Sequence, residues 1–355
     1  MIEIDGSYLE GGGQILRTAL SLSSLTGQPF EIKGIRKNRP EPGLKAQHLS
    51  CIRAFEGLSS ARSENAFEGS ESVSFFPSPV KGRTFAIDIG TAGSITLLLQ
   101  SLLLPCIFAG SKVRIKVTGG TDVAWSPPTD YFANVFLPHM RKFCEKIEFK
   151  LLKRGYYPKG GGRAELIIKP KYQISNLGDL AVVRELLPKV NLARQGQLAF
   201  IKGISHASID LQKAEVAERQ ARAAKIILPG NVSIRAEYSD ALSTGSGIVL
   251  WAVFSEKDEV SAENPVTLGA DCLGERGKRS EAVGSEAARN LLAQIKSKAS
   301  ADLYLADQLL PYMAVAGKSS IKASEITKHA LANIYVIEKF LGKCFSVDGS
   351  LINTF

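Results

Sequence analysis

Three stretches of the chain carry long apolar runs that stop at a glycine: "GGGQILRTALSLSSLTG" at Gly27, "AGSITLLLQSLLLPCIFAG" at Gly110 and "LYLADQLLPYMAVAG" at Gly317. Each run is long enough for a helix, and a glycine just past the last apolar residue is where a helix C-cap takes a left-handed residue. A short strand-like segment follows each glycine: "QPFEIKGIR", "SKVRIKVTGG" and "KSSIKAS". A second helix comes next in all three, "GLKAQHLSCIRAFEGL", "TDYFANVFLPHMRKFCEKI" and "ITKHALANIYVIEKFLG". Alternating β-like residues close each unit, in "SVSFFP", "KIEFKLL" and "KCFSVDG". The pattern predicts one helix–strand–helix–strand unit in three copies.

The copies are unevenly spaced. Gly27 and Gly110 are 83 residues apart, whereas Gly110 and Gly317 are 207 apart. The excess, about the size of a small domain, has its own pattern: strands at "QLAFIKGISHAS", "NVSIRAEYS" and "GIVLWAVFS", and helices at "KAEVAERQARAAKIIL" and "SEAVGSEAARNLLAQIKS". The predicted fold class is therefore α/β (α+β). A large three-unit domain spans 1–183 and 298–355, and a small α/β domain is inserted at 184–297.

Composition narrows the class. The 355 residues are 45% hydrophobic, enough for about two packed domains. The most apolar run, "ITLLLQSLLLPCIFA", is broken by Gln100 and Pro105 and is too short to cross a bilayer. The N-terminal "MIEIDGSYLE" lacks a signal-peptide layout, so the expected location is the cytoplasm, with no membrane partner. Five widely spaced cysteines without a CxxC pair exclude a zinc ribbon and a secreted disulfide scaffold. A net charge of +9, dispersed along the chain, suits a polyanionic partner, although it also suits a merely solvated surface.

Several loops can carry chemistry. "EGGGQILR" (Glu10 to Arg17) puts three glycines before a helix, whose free N–H groups and dipole favour an anion. Glu10 is placed to ligate a metal held by phosphates. The missing Gly-Lys-Ser/Thr ending rules out a Walker A loop, and the run also reads as a bare tight turn. "IRKNRPEPGLKAQHL" (Ile35 to Leu49) is a proline-bounded loop presenting Arg36, Lys37, Arg39 and Lys45, either to phosphates or only to solvent. "GGTDVAWSPPTDYF" sets a tryptophan and two prolines before a helix capped by Thr129 or Asp130; they can flank a base or serve as loop scaffolding. "RGYYPKGGGRAEL" (Arg154 to Leu166) reads as a tight glycine-rich corner between strands. Of the four histidines, His139 and His206 show no supporting constellation, and His48 follows Gln47 at the start of a helix. His329 lies in the first turn of its helix, where the dipole favours the neutral, nucleophilic imidazole. Asp307, on the preceding helix, is a candidate to orient it.

Collinear along the chain, "EGGGQILR", "PGLKAQHL", "GGTD…SPP", "RGYYPKGGG", "YLADQLLPYMA" and the helix of His329 resemble the RNA 3′-terminal phosphate cyclase family over nearly the whole length. One departure is Ala164, where a larger aliphatic residue is usual. The resemblance implies βαβ-rich repeats related to those of enolpyruvyl transferases. It also implies an ATP-dependent reaction on an RNA bearing a 3′-terminal phosphate, through a histidine–AMP phosphoramidate and an RNA(3′)pp(5′)A intermediate to a 2′,3′-cyclic phosphate. It makes His329 the nucleophile, oriented by Asp307. Gln14, Gln100, Pro127, Tyr304, Asp307 and Gln308 become ATP-site residues, and Glu10 the ligand of Mg2+ or Mn2+. Arg17, Arg36, Arg39 and His48 become contacts to phosphates of ATP or the RNA end. Asp271 falls where some relatives carry an aromatic over the adenine. A catalytically inert rRNA-processing relative is the alternative, but such relatives lack the histidine. An enolpyruvyl transferase would need no such histidine and has two domains of similar size. The oligomeric state stays open, a homodimer included.

Overall fold

The computed structural model describes residues 1–172, 184–256 and 259–355. The chain begins with β1 (Ile2–Asp5), α1 (Gly13–Thr26), β2 (Phe30–Lys33), α2 (Ala46–Ser59), β3 (Arg62–Glu64) and β4 (Ser72–Phe76). β1 pairs parallel with β2, and β4 lies antiparallel to both β2 and β3, in the order β1-β2-β4-β3. Next come β5 (Thr84–Asp88), α3 (Ile95–Ile107), β6 (Val113–Gly119), the helical segment α4 (residues 129–140, π-helical at Phe132–Phe136), β7 (Cys144–Lys153) and β8 (Gly162–Pro170). Their sheet runs β5-β6-β8-β7, with the same senses of pairing.

β9 (Asn191–Leu192) precedes a fourth sheet made of β10 (Gln197–Ser208), β11 (Val232–Ser239), β12 (Ser246–Ser255) and β13 (Val266–Leu273), in the order β11-β10-β12-β13. It carries α5 (Val216–Ile227) and α6 (Ser280–Lys296). The chain closes with α7 (Leu303–Ala316), β14 (Ser320–Lys322), α8 (Lys328–Leu341), β15 (Phe345–Asp348) and β16 (Leu351–Thr354). β9 pairs parallel with β14, and β16 lies antiparallel to β14 and β15. Three sheets thus share one strand order and one pattern of pairing. Residues 191–192, inside the span read from sequence as the insert, pair with β14 of the third of these sheets.

Burial explains which elements the sequence announces. α3 is buried on nearly all sides and packs against α1 and α7, so its pattern is a continuous apolar run rather than a stripe. β12 is likewise buried on both faces. Ile248, Leu250 and Ala252 face α5 and α6, while Val249, Trp251 and Val253 join the main core. Strands β1, β3, β5, β9, β13 and β16 are not announced as strands. β1 and β5 each turn only two apolar residues to the core, Ile2 and Ile4 in one and Phe85 and Ile87 in the other, too short an alternation to announce a strand.

Two capping expectations are corrected. Gly27 is a left-handed cap (φ 73°, ψ 8°), and Gly317 has positive φ with extended ψ. Gly110 is neither, because α3 already ends at Ile107, where a proline at position 105 removes a donor in the last turn. The helix after the Pro-Pro pair begins at Thr129 with Pro128 before it, so neither Thr129 nor Asp130 is its N-cap.

Candidate active site

A cavity of about 380 Å3 lies where α1, α3, α7, α8 and the loop after β6 converge under β13. It is lined by Gln14, Arg17, Gln100, Pro127, Tyr304, Asp307, Gln308 and His329, all singled out from sequence.

The glycines of the first loop set its floor. Gly11 has φ 56°, a conformation glycine adopts without strain. Gly12 is the N-cap of α1 with no side-chain cap, so the first amides of the helix have no side-chain acceptor. A Cβ on Gly12 would sit 3.5 Å from His329 Cε1 and 3.8 Å from Arg39 Nη2. A Cβ on Gly13 would overlap the His48 imidazole and approach Arg17 Nη1 to 3.2 Å. His48 is therefore behind the glycine loop and not among the cavity-lining residues. Its Nδ1 accepts from the Lys45 N–H (3.0 Å), and burial, reinforced by Arg17, Arg36 and Lys45, lowers its pKa to about 3. The ring packs against Gly13 and accepts at the start of α2.

Opposite the loop, Thr327 caps α8 by accepting from the Ala330 N–H (3.0 Å), which fixes His329 as the second helical residue. The ring is half exposed, and its Nε2 lies 3.5 Å from Glu10 Oε2. Burial lowers its pKa, Arg17 and Arg39 lower it further, and Glu10 partly opposes them. The balance favours the neutral imidazole. Glu10 also pairs with Arg39 Nη2 at 3.3 Å. Asn38 Nδ2 donates to the carbonyls of Ser7 (2.8 Å) and Leu9 (3.2 Å), tying the arginine loop to the glycine loop. Arg36, with φ 57°, lies with its Cα 3.7 Å from where a Gly11 Cβ would stand.

No hydrogen bond joins Asp307 to the His329 ring among the described residues. Gln14 Nε2 intervenes, donating to Asp307 Oδ2 (3.2 Å) and to the His329 carbonyl (3.4 Å). Burial raises the Asp307 pKa to about 7 despite Arg17 and Gln14, which favour the carboxylate. The cavity also contains residues that sequence reasoning missed. Asn333, one turn after His329, donates to the Asp307 carbonyl (2.9 Å) and accepts from Thr18 Oγ1 (2.5 Å), bracing α7 and α1 against α8. The signal for it was its spacing: i+4 from the histidine on the same helix face. Gln100 Nε2, Gln308 Oε1 and Tyr312 OH are buried in this wall without a partner among the described residues. Such groups cost about 1–3 kcal/mol each unless a ligand satisfies them.

Chemically, the cavity brings together the His329 imidazole, the Arg17 guanidinium and an aromatic and apolar wall. Glu10 can supply one carboxylate to a divalent ion whose other ligands come from phosphates, which is how Mg2+ is commonly held. The cluster Asp122, Asp130 and His206 has metal-ligand spacing, but Arg154 donates to both carboxylates (3.0 and 2.7 Å), so a guanidinium already fills that role. His206 thus has a constellation the sequence did not reveal: Asp122 Oδ1 at 3.2 Å from Nε2 and Tyr156 OH at 2.9 Å from Nδ1.

Residues 8–347 match the family model described as RNA 3′-terminal phosphate cyclase. Curated proteins of that name are similar over nearly their full length. That of Pyrococcus furiosus is 47% identical over 99% of this chain and 96% of its own. That of Archaeoglobus fulgidus is 45% identical over 99% of both, and that of Methanosarcina acetivorans 42% over 98% and 97%. The chain belongs to the RNA 3′-terminal phosphate cyclase family, a family of enzymes.

Proposed function

We propose that this protein converts an RNA 3′-phosphate end into a 2′,3′-cyclic phosphate at the expense of ATP, with His329 carrying AMP. The observation that supports this most directly is the placement of a half-exposed imidazole against the glycine loop, beside Glu10, in the cavity that Arg17 lines. In the first step an imidazole nitrogen attacks the α-phosphorus of ATP, the bond to the β-phosphate oxygen breaks, and pyrophosphate leaves. In the second, an oxygen of the RNA 3′-phosphate attacks the same phosphorus and displaces the imidazole, giving RNA(3′)pp(5′)A. In the third, the adjacent 2′-hydroxyl attacks the 3′-phosphorus, loses its proton and expels AMP.

Each step suits the residues. A phosphate monoester has no good leaving group until it is adenylated, and ring closure by a neighbouring hydroxyl has a high effective molarity. Arg17, Arg36 and Arg39 are assigned to the phosphates, Gln14 and Asp307 to holding the backbone of α8 in place, and Tyr304 and Pro127 to the base. A divalent ion on Glu10 would offset charge on the phosphates. We further propose that the three like-ordered sheets descend from one duplicated unit, with the fourth sheet and its helices inserted into the third. The five buried, unpaired cysteines fit a reducing compartment such as the cytoplasm.

The test uses the purified chain with Mg2+ and ATP labelled at the α-phosphate, beside His329→Ala, on a denaturing gel. An acid-labile labelled band that the variant loses by at least about a hundredfold, a fall of the size seen when a nucleophile is removed, is the expected result. No label in the wild type, with or without 3′-phosphorylated RNA, would instead identify an inert RNA-binding relative. Label that survives in the variant would exclude His329.

A further inference from the structure

The loop between β6 and α4 is closed and braced. The Thr129 N–H donates to the Thr121 carbonyl (3.0 Å) across its neck, and the Thr121 N–H donates to the Gly155 carbonyl (2.8 Å). The Thr96 hydroxyl of α3 donates to the Pro127 carbonyl (2.7 Å), and the Ser126 hydroxyl to that of Val123 (3.1 Å). Val123, Pro127 and Pro128 are buried. Between these anchors the chain turns Trp125 outwards. Its φ is 61°, and 99% of the residue is exposed, the highest value of any large apolar residue among those described. A bulky residue in the left-handed region is strained, and such strain persists only where the surroundings impose it. Single exposed apolar residues are ordinary. Trp125 combines exposure, strain and a rigid mount with a place on the lining of the His329 cavity. A residue that lines a cavity and stays exposed stands at its mouth.

We propose that Trp125 is the stacking platform for the 3′-terminal base of the RNA, holding that base at the mouth while the adjoining phosphate enters. The inference rests on the proposed cyclase reaction, in which this phosphate must reach a phosphorus carried on His329. At about 380 Å3 the cavity is near the lower end of the range for one small ligand, about 300–1,000 Å3. One nucleotide fills such a space, so the nucleoside of the RNA end stays outside when the adenylate is in place. Pro127 is buried and belongs to the inner base, whereas the indole of Trp125 is free on nearly every side. Stacking needs a π-face and no matched base edge, so the platform takes any terminal base. Its mount is already rigid, and little freedom is lost when a base lands on it.

The experiment titrates the full chain with a short fluorescein-labelled oligoribonucleotide bearing a 3′-phosphate and reads anisotropy, for wild type, Trp125→Ala and Trp125→Tyr. A second oligonucleotide lacks only its 3′-terminal base, and calorimetry gives the Kd for ATP on the same proteins. Trp125→Ala is expected to raise the Kd for the intact RNA by about 5- to 150-fold, the worth of one base stacked on an aromatic ring. Trp125→Tyr keeps an aromatic face and recovers part of the loss. On the abasic oligonucleotide the wild type loses the same factor and Trp125→Ala loses nothing more, which a merely structural role of the ring would not produce. The Kd for ATP stays where it was in all three proteins. Equal RNA affinity in the three overturns the proposal, and so does a Trp125→Ala loss that persists without the terminal base. A loss of equal size for ATP moves the ring to the inner base and overturns it as well. None of these readouts needs turnover. RNA that binds with this dependence on Trp125 but is not cyclised overturns the cyclase reaction alone, and no binding of RNA to the wild type overturns both readings.

Discussion

At the scale of single residues the site is a matter of what has been left out. Gly13 has no room for a Cβ because His48 and Arg17 occupy that space, whereas a Cβ on Gly12 would stand in ordinary contact with His329 and Arg39. The triple glycine reads from sequence as an anion cradle or a bare tight turn, and His48 beside it as a phosphate contact by resemblance; what the sequence does not show is that His48 is buried. Its neutral ring instead fills the room behind the loop. Gly13→Ala is therefore expected to destabilise the fold by about 1–3 kcal/mol through overpacking and to weaken nucleotide binding by pushing Arg17 aside. A thermal melt and a calorimetric Kd for ATP check both effects. His48→Ala added to Gly13→Ala removes the overlap, so the double variant should recover much of the lost stability. A double variant no better than Gly13→Ala would show that the glycine is needed for its backbone and not for space.

At the scale of elements, the helices were readable because each buries a face or its whole circumference, and strands of three to five residues such as β1, β3, β5 and β16 were not, because each turns at most two residues to the core. What the pattern could not convey is how elements are tied end to end. Asp302 illustrates this. Its Oδ1 caps α7 by accepting from the Tyr304 and Leu305 N–H groups (both 2.9 Å) and also accepts from the Tyr131 hydroxyl (2.6 Å), while Oδ2 accepts from the Gly269 N–H. One carboxylate thereby fixes the start of α7 relative to α4 and to β13, the elements that bring Tyr304 and Asp271 to the cavity. Asp302→Ala removes a helix cap and strands a buried phenol, for a combined loss of about 3 kcal/mol. Asp302→Asn keeps one acceptor and should lose less. Urea unfolding of the two variants measures the difference. Equal losses would mean that the charge matters more than the cap.

At the scale of the whole molecule, the excess spacing between Gly110 and Gly317 holds the sheet β11-β10-β12-β13 with α5 and α6, but nothing in the sequence says how that sheet is seated. The seat is Arg154, read from sequence only as the first residue of a glycine-rich corner. Its guanidinium donates to Asp122 (3.0 Å) and Asp130 (2.7 Å) of the large body and to Glu237 (2.5 Å) on β11, and only 1% of the residue is exposed. Burial alone would raise the Asp122 pKa, yet His206 of β10 and Arg154 overcome it and hold the carboxyl well below its ordinary range. The network thus links the loop after β6 and α4 to β10 and β11 through Arg154, with His206 and Thr121 also on Asp122 and Arg235 also on Glu237. Breaking a buried pair from one side costs about 3–5 kcal/mol, because the remaining charges stay buried. Arg154→Met should lose that much in chemical denaturation. Arg154→Lys should recover only part of it, since an ammonium cannot match the planar fork that meets three carboxylates at once. Because β13 brings that sheet to the cavity, Arg154→Met at temperatures below its melt should also raise the Kd for ATP. Unchanged nucleotide affinity in a folded Arg154→Met protein would mean that the tether between Asp302 and β13 seats the sheet over the cavity without help from the charge network.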